Sequence, residues 1–328
     1  MKIRKVNRLH EQTLKNLEID WIDEDFHNLD ELVEVSEHEA EAYYEAANTI
    51  FDMYIEAADY IIENELFFEL DIPFNLIDIV KKSWENDVHW HIYSYFKFSG
   101  GLDNSPIKLM GFDADTPDML LESAYLQWFM LKDNNIDENK QYNEIYEKIV
   151  DNFKRLITLQ DDTELFSKRY DGWKILFSSL CNDKNGEIKM QLLQQMADEA
   201  GFETKFEYLE NVEFSEDGIF DSDSNEYEYW FKNYKWLDMA SQEPELATQI
   251  TSIIKNQKAI VINPAYSMLF ESKGMFKILK KLYPNSPYLI DNDEDTLKNK
   301  YYANVFFAYE ACGLSFIKDS KFIGHKLV

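Results

Sequence analysis

The sequence predicts an α/β protein, and three observations carry that prediction. A long helical stripe stands near the N-terminus, strand-like and helical segments alternate through the middle, and three short strand-like runs close the chain. The stripe begins at Ser36-Glu37-His38-Glu39, which has the form of a capping box, with a hydroxyl and a carboxylate each satisfying an orphan backbone N–H. Tyr43, Ala46, Ala47, Ile50, Tyr54, Ala57, Ala58 and Ile61 then recur at helical spacing, so one amphipathic helix should run to about Asn64. Ile72-Pro73 opens a second helix to Trp84. His89 to Phe98 is aromatic and β-branched enough to be a strand, and the glycine-containing stretch 99–106 reads as a hairpin connection to a return strand over 107–112.

Thr116 can cap a helix whose first residue is Pro117 and which continues to about Leu131. Helices are expected over Asp137 to Leu159 and Glu187 to Gly201, and strands over Trp173 to Phe177 and Thr204 to Leu209. Glu210 to Glu228 is acidic and turn-rich, a solvated loop or the tip of a meander. Ala259 to Ile262 should be a strand, Asn263 a cap before a first-turn Pro264, and Lys273 to Leu282 a helix stopped by Pro284. Tyr301 to Phe307, Leu314 to Ile317 and Lys321 to Leu327 read as three strands with turns at Ala311 to Gly313 and Asp319-Ser320. So small a sheet is weakly stable alone, so it must pack on what precedes it, pair with something else, or begin an incomplete lobe.

Charge narrows the partners. Lys and Arg total 33 against 62 Asp and Glu, a formal charge of −29 that repels phosphate backbones and anionic membranes, so nucleic acid and membrane are not expected. Hydrophobic residues at 45% and aromatics at 15% put that charge on a folded body. Cys181 and Cys312 support neither a disulfide framework nor a zinc knuckle, and no run approaches the roughly 18 apolar residues of a membrane helix. A cytoplasmic protein is the expectation.

Chemistry concentrates in Asp113-Ala-Asp115-Thr116-Pro-Asp118. A helix start there would suit an anion, three aspartates would suit a metal or an amine, and Asp118 could simply complement the helix dipole. His89 and His91 would share one strand face, a pair that binds zinc only if a third ligand arrives; ordinary strand histidines are the simpler reading. Lys273 at a helix start could meet a phosphate or be solvated. Gly-x-Ser-x-Gly, Walker and Gly-x-Gly-x-x-Gly signatures are absent from the sequence.

Three stretches together resemble the glutathionylspermidine synthase family, ATP-grasp ligases that join a carboxylate to an amine. Gly111-Phe-Asp-Ala-Asp-Thr-Pro117, followed by Leu120 to Trp128, is similar to the family's Glu-x-Asn-Ala-Asp-Ser/Thr segment and its helix. Asn263-Pro-Ala-Tyr266, Lys273 and Tyr283-Pro284-Asn285 resemble its Glu-Pro-Ala-Trp, Lys and Phe-Pro-Asn pattern, and Ile72-Pro73 through Tyr93-Ser94 is similar as well. The resemblance implies a pre-ATP-grasp-like domain over 1–255 and a reduced ATP-grasp-like portion over 256–328. It implies ATP and Mg²⁺ as cofactors, Asp113 as metal ligand, Lys273 as nucleotide contact, and Asp115, Thr116 and Asp118 as contacts to a peptide carboxylate substrate; the acidic surface would suit a polyamine.

Where the family has Arg-x-Asp and Glu-x-Asn metal ligands, this chain has Tyr95-Phe96-Lys97 and Gly111-Phe112-Asp113. A second phosphate lysine falls at Asn304-Val305-Phe306, and the Ser-Arg-Glu-Gly lid reads Ala308-Tyr309-Glu310-Ala311. By the same resemblance the nucleotide lobe is expected to fall two or three strands and a helix short. These departures predict a catalytically impaired pseudoenzyme that keeps a ligand cleft. The alternatives are a working Mg²⁺-dependent carboxylate-amine ligase using Asp113 and Asp115, and an interaction protein whose terminal strands pair with a protein partner.

Overall fold

The computed structural model describes residues 1–16, 21–85, 90–158, 173–290 and 301–328. Strand β1 (Lys2–Lys5), helix α1 (Glu11–Asn16) and β2 (His27–Val35) precede the long helix α2 (Glu37–Glu63). Both arms of its capping box form: Glu39 N donates to Ser36 Oγ at 3.3 Å, and Ser36 N donates to Glu39 Oε2 at 2.8 Å. Every residue of the sequence-predicted stripe is buried. Next come α3 (Ile77–Trp84) and the antiparallel pair β3 (Ser94–Ser99) and β4 (Lys108–Asp113). The strand expected from His89 starts at Ser94, and His89 itself lies outside the described residues.

A π-helical stretch (Leu121–Leu126) runs into α4 (Gln127–Asp133), followed by α5 (Ile145–Thr158). Then come β5 (Lys174–Ser179), α6 (Lys184–Ala200) and β6 (Glu203–Tyr208). Three short strands, β7 (Glu213–Ser215), β8 (Gly218–Phe220) and β9 (Glu226–Tyr227), form an antiparallel meander in the acidic stretch. After β10 (Tyr229–Lys232) come α7 (Trp236–Gln242), α8 (Pro244–Lys255), β11 (Ile260–Ile262), α9 (Ser267–Glu271) and α10 (Lys273–Leu282). The chain ends in β12 (Tyr301–Ala308), β13 (Glu310–Lys318) and β14 (Lys321–Leu327).

Two larger sheets organise these elements. One has seven strands in the order β1-β2-β14-β13-β12-β3-β4; the other is parallel, in the order β11-β10-β5-β6. The terminal strands therefore form the middle of the first sheet. This corrects the reading of an open terminal edge available to a partner, because that sheet's outer strands are β1 and β4. The turn expected at Ala311 to Gly313 is strand; the chain reverses at Tyr309, whose φ of 74° lies in the left-handed region. Burial on both faces explains the placement, with Val305, Phe307, Leu314 and Phe316 in the α2 core and Phe306 and Cys312 in the core around α5. Strands from both sides of residue 255 share each larger sheet, with β11 beside β10 and β12 beside β3.

Helix α5 lies between the sheets. Its Ile149 and Phe153 are in one cluster with Tyr95 and Phe306 of the first sheet and Phe177 and Phe231 of the second. Among the described residues no helix is long and apolar enough to cross a membrane.

Candidate functional site

The β3–β4 register sets Tyr95 opposite Asp113 and Lys97 opposite Gly111, so Tyr95, Lys97 and Asp113 share one face. The other face carries Phe96 and Phe112, stacked with centroids 3.9 Å apart in the α2 core. Lys97 Nζ stands 5.2 Å from the Tyr95 ring centroid. Past β4 the backbone bends around Glu271 at the end of α9, and the N–H groups of Ala114 and Asp115 donate to Glu271 Oε1 at 2.9 and 2.8 Å. The other oxygen, Oε2, lies 3.7 Å from Lys235 Nζ. Burial, and then the neighbouring Glu271, raise the Asp113 carboxyl to about 6, with Lys235 and Lys97 pulling the other way. Asp113 Oδ1 is buried and has no hydrogen-bond partner among the described residues.

Asp115 is held more tightly. Its Oδ1 accepts from Lys232 Nζ at 2.5 Å and its Oδ2 from Trp236 N at 2.7 Å, with side-chain exposures of 2% for Asp115 and 0% for Lys232. Burial lowers the Lys232 pKa against the pull of Asp115, and Nζ also sits 4.8 Å from the Trp236 ring centroid. Both carboxylate oxygens of Asp115 are thus spent inside the protein. Asn263 closes the arrangement: Nδ2 donates to Asp115 O at 3.1 Å, Oδ1 accepts from Ile92 N at 2.8 Å, and its carbonyl accepts from Trp236 Nε1 at 3.0 Å. The expected helix cap at Asn263 is therefore a clamp between segments distant in sequence.

A second correction concerns Thr116 and Pro117. The helix starts at Leu120, not Pro117, because Asp115 is anchored to Lys232 and Met119 turns through a left-handed φ of 64°. Thr116 lies half-buried in the intervening bend. Asp118 is exposed and lies 3.3 Å from Lys189 Nζ, which also donates to Pro117 O at 3.2 Å. It lines a cleft of about 410 Å³ with Trp21, Phe26, His27, Glu122 and Lys189. His27 Nε2 lies 3.2 Å from Glu122 Oε1. The first turn of α6 also lines it, and there a Cβ on Gly186 would come within 2.2 Å of Asp183 Oδ2 and 2.3 Å of Asn233 Nδ2, so a larger residue would displace the Asp183 cap and its bond to Asn233.

Of the residues singled out from sequence, Asp113 and Asp115 meet around Glu271, Asp118 reaches the cleft, and Lys273 does neither. Lys273 is exposed at the first position of α10, whose cap is Ser272. His91 is buried and pushed down to about 4 by that burial, with Nδ1 3.0 Å from the Tyr266 hydroxyl. Among the described residues no group of three or more His, Cys, Asp or Glu is placed to hold a metal. Sequence reading passed over Lys232, Lys235 and Glu271. Tyr229-Trp230-Phe231 was the available signal, a short apolar run of buried-strand type leading directly into both lysines.

Mg²⁺ demands near-octahedral oxygen ligation, and the residues here do not supply it. Asp115 has no free oxygen, Glu271 Oε1 is taken by two backbone N–H groups, and an ammonium faces Glu271 Oε2. The cationic side chains near Asp113 sit where they oppose a second positive charge.

The family model for the glutathionylspermidine synthase preATP-grasp region matches residues 1–326. A Haemophilus influenzae protein bearing the provisional name acid–amine ligase is 28% identical over 243 residues, covering 72% of this chain and 54% of that protein. The chain thus spans about half the length of that curated relative. Among solved structures, a glutathione synthetase-like effector from Globodera pallida in its apo form superposes with a TM-score of 0.53 at 8% identity, covering 90% of this chain and 88% of that one, a likeness of fold. The chain belongs to the glutathionylspermidine synthase preATP-grasp family.

Proposed function

We propose that this chain is a catalytically impaired member of its acid–amine ligase family that keeps a ligand cleft. One observation carries the reading: the carboxylates of the Asp113 centre are matched by the chain's own cations, Lys97, Lys232 and Lys235. ATP-driven ligation needs positive charge that is free to follow phosphate through the reaction, and ammonium groups already engaged with carboxylates are a poor source of it. The cleft beside Asp118 carries Glu122 and Asp118, which suit an ammonium, and a Lys189 paired with Asp118, which a bound carboxylate would have to share, so a polyamine or a peptide carboxylate is the ligand class. Calorimetric titration with ATP, with and without Mg²⁺, tests the reading, with Lys273→Ala as control. No saturable binding at millimolar nucleotide is expected. Mg²⁺-dependent binding lost in the variant, together with ATP-coupled amide formation, would overturn it.

A working ligase with a rearranged metal site is the second reading, favoured by the buried and unpartnered Asp113 Oδ1 beside Glu271. It requires Mg²⁺-dependent nucleotide binding that Asp113→Ala weakens.

A further inference from the structure

The lysine paired with Glu271 beside Asp113 was not among the residues the sequence singled out. Lys235 stands between β10 and α7, one residue before Trp236, whose backbone N–H is fixed on Asp115. That anchor holds the base of the side chain while its ammonium reaches to 3.7 Å from Glu271 Oε2. Burial acts to lower the Lys235 pKa, yet Glu271, Asp113, Asp115 and Asp118 together raise it above the ordinary lysine value. Four carboxylates from two segments, the 113–118 stretch and the end of α9, therefore act on one ammonium. Lys97 approaches Asp113 from the β3 side of the same face, and Lys232 has already neutralised Asp115 from within.

We propose that Lys235 is a tethered cation, taking the place beside Glu271 and Asp113 that a divalent ion would need, so that the native centre binds no Mg²⁺ there. The inference rests on the impaired-ligase reading and gives its physical cause. Two like charges cannot share so small a space, because a dication close to an ammonium is repelled, and more strongly where burial lowers the dielectric. A lysine on the chain also has an advantage over a free ion: it arrives with folding and meets no binding entropy of its own. Its side chain is 45% exposed, so removing it opens the carboxylates to solvent rather than leaving a sealed cavity.

Mn²⁺ titration followed by electron paramagnetic resonance, with Mg²⁺ as competitor, tests this on the wild type, Asp113→Asn, Lys235→Ala, Lys235→Arg and Lys235→Ala/Asp113→Asn. Lys235→Ala should acquire a site at least tenfold tighter than any in the wild type, the double variant should lose it, and Lys235→Arg should behave as wild type. A wild-type site that Asp113→Asn abolishes, or no gain in a folded Lys235→Ala, would overturn the proposal. ATP turnover by the wild type, measured alongside, separates the two claims. Turnover without an Asp113-dependent metal site ends the impaired-ligase reading alone, whereas absence of turnover with no gain in Lys235→Ala ends the tethered cation alone.

Discussion

Asp115 and Asp118 lie three positions apart, and each pairs with a lysine, yet the two pairs live in different solvents. Asp115 and Lys232 are 2% and 0% exposed, whereas Asp118 is 76% exposed beside a Lys189 that is 8% exposed. In the first pair every charge is desolvated and every carboxylate oxygen is bonded, so the energy depends on keeping both partners. In the second, water screens the attraction and leaves the carboxylate reachable from the cleft. The difference separates residues that build the site from those free to meet a ligand, although all belong to one hexapeptide.

The largest expected break in that comparison is Asp115→Ala, which strands a buried ammonium and should cost about 3 to 5 kcal/mol in urea unfolding. Lys232→Met/Asp115→Leu, which removes both charges, should recover most of the loss. Asn263→Leu comes next: it leaves Ile92 N–H buried without its acceptor, at about 1 to 3 kcal/mol by the same measurement.

Asp113→Asn should act in the opposite direction. The Asp113 carboxyl is raised from 3.8 to about 6 by burial and Glu271, so it contributes stability below pH 3.8 that is lost as pH rises through 6. The variant should therefore be more stable than wild type at pH 7, by about 1 to 2 kcal/mol, and lose that advantage below pH 4. Burial lowers His91 from 6.5 to about 4 and His325 from 6.5 to about 3, which gives the reverse sign. Their contribution is complete above pH 6.5 and is lost as pH falls towards 4 and then 3, so His325→Gln should flatten the acid limb of a stability-against-pH curve. The smallest stability effect is expected for Asp118→Ala, within about 1 kcal/mol. Its signature should instead be altered amine or carboxylate binding in the cleft, read by calorimetry.

Much of the fold was legible because it is written locally. The capping box and stripe of α2, the proline-opened α3, the β3–β4 hairpin and α10 each follow from residues within a few positions of one another. β1, α1, β2, β10, α7 and α8 went unread. β10 is a four-residue run buried on every side, too short for periodicity to speak, and β1 is largely exposed. The site was half legible: Asp113, Asp115 and Asp118 stand together in the chain, but Lys232 reaches Asp115 from 117 positions away, and Lys235 and Glu271 stand further along the chain still.

Composition and pattern by themselves determined an acidic α/β chain, its longest helix, its terminal strands and a family resemblance, since each depends on residue type and short-range spacing. Tertiary structure alone decided that the terminal strands fill the middle of a sheet, because strand pairing is chosen by which faces can be buried together. It alone decided that Asn263 clamps rather than caps, and that Asp115 is sealed while Asp118 is open. Those outcomes are set by desolvation and by partners from distant segments, and neither quantity exists until the chain has folded.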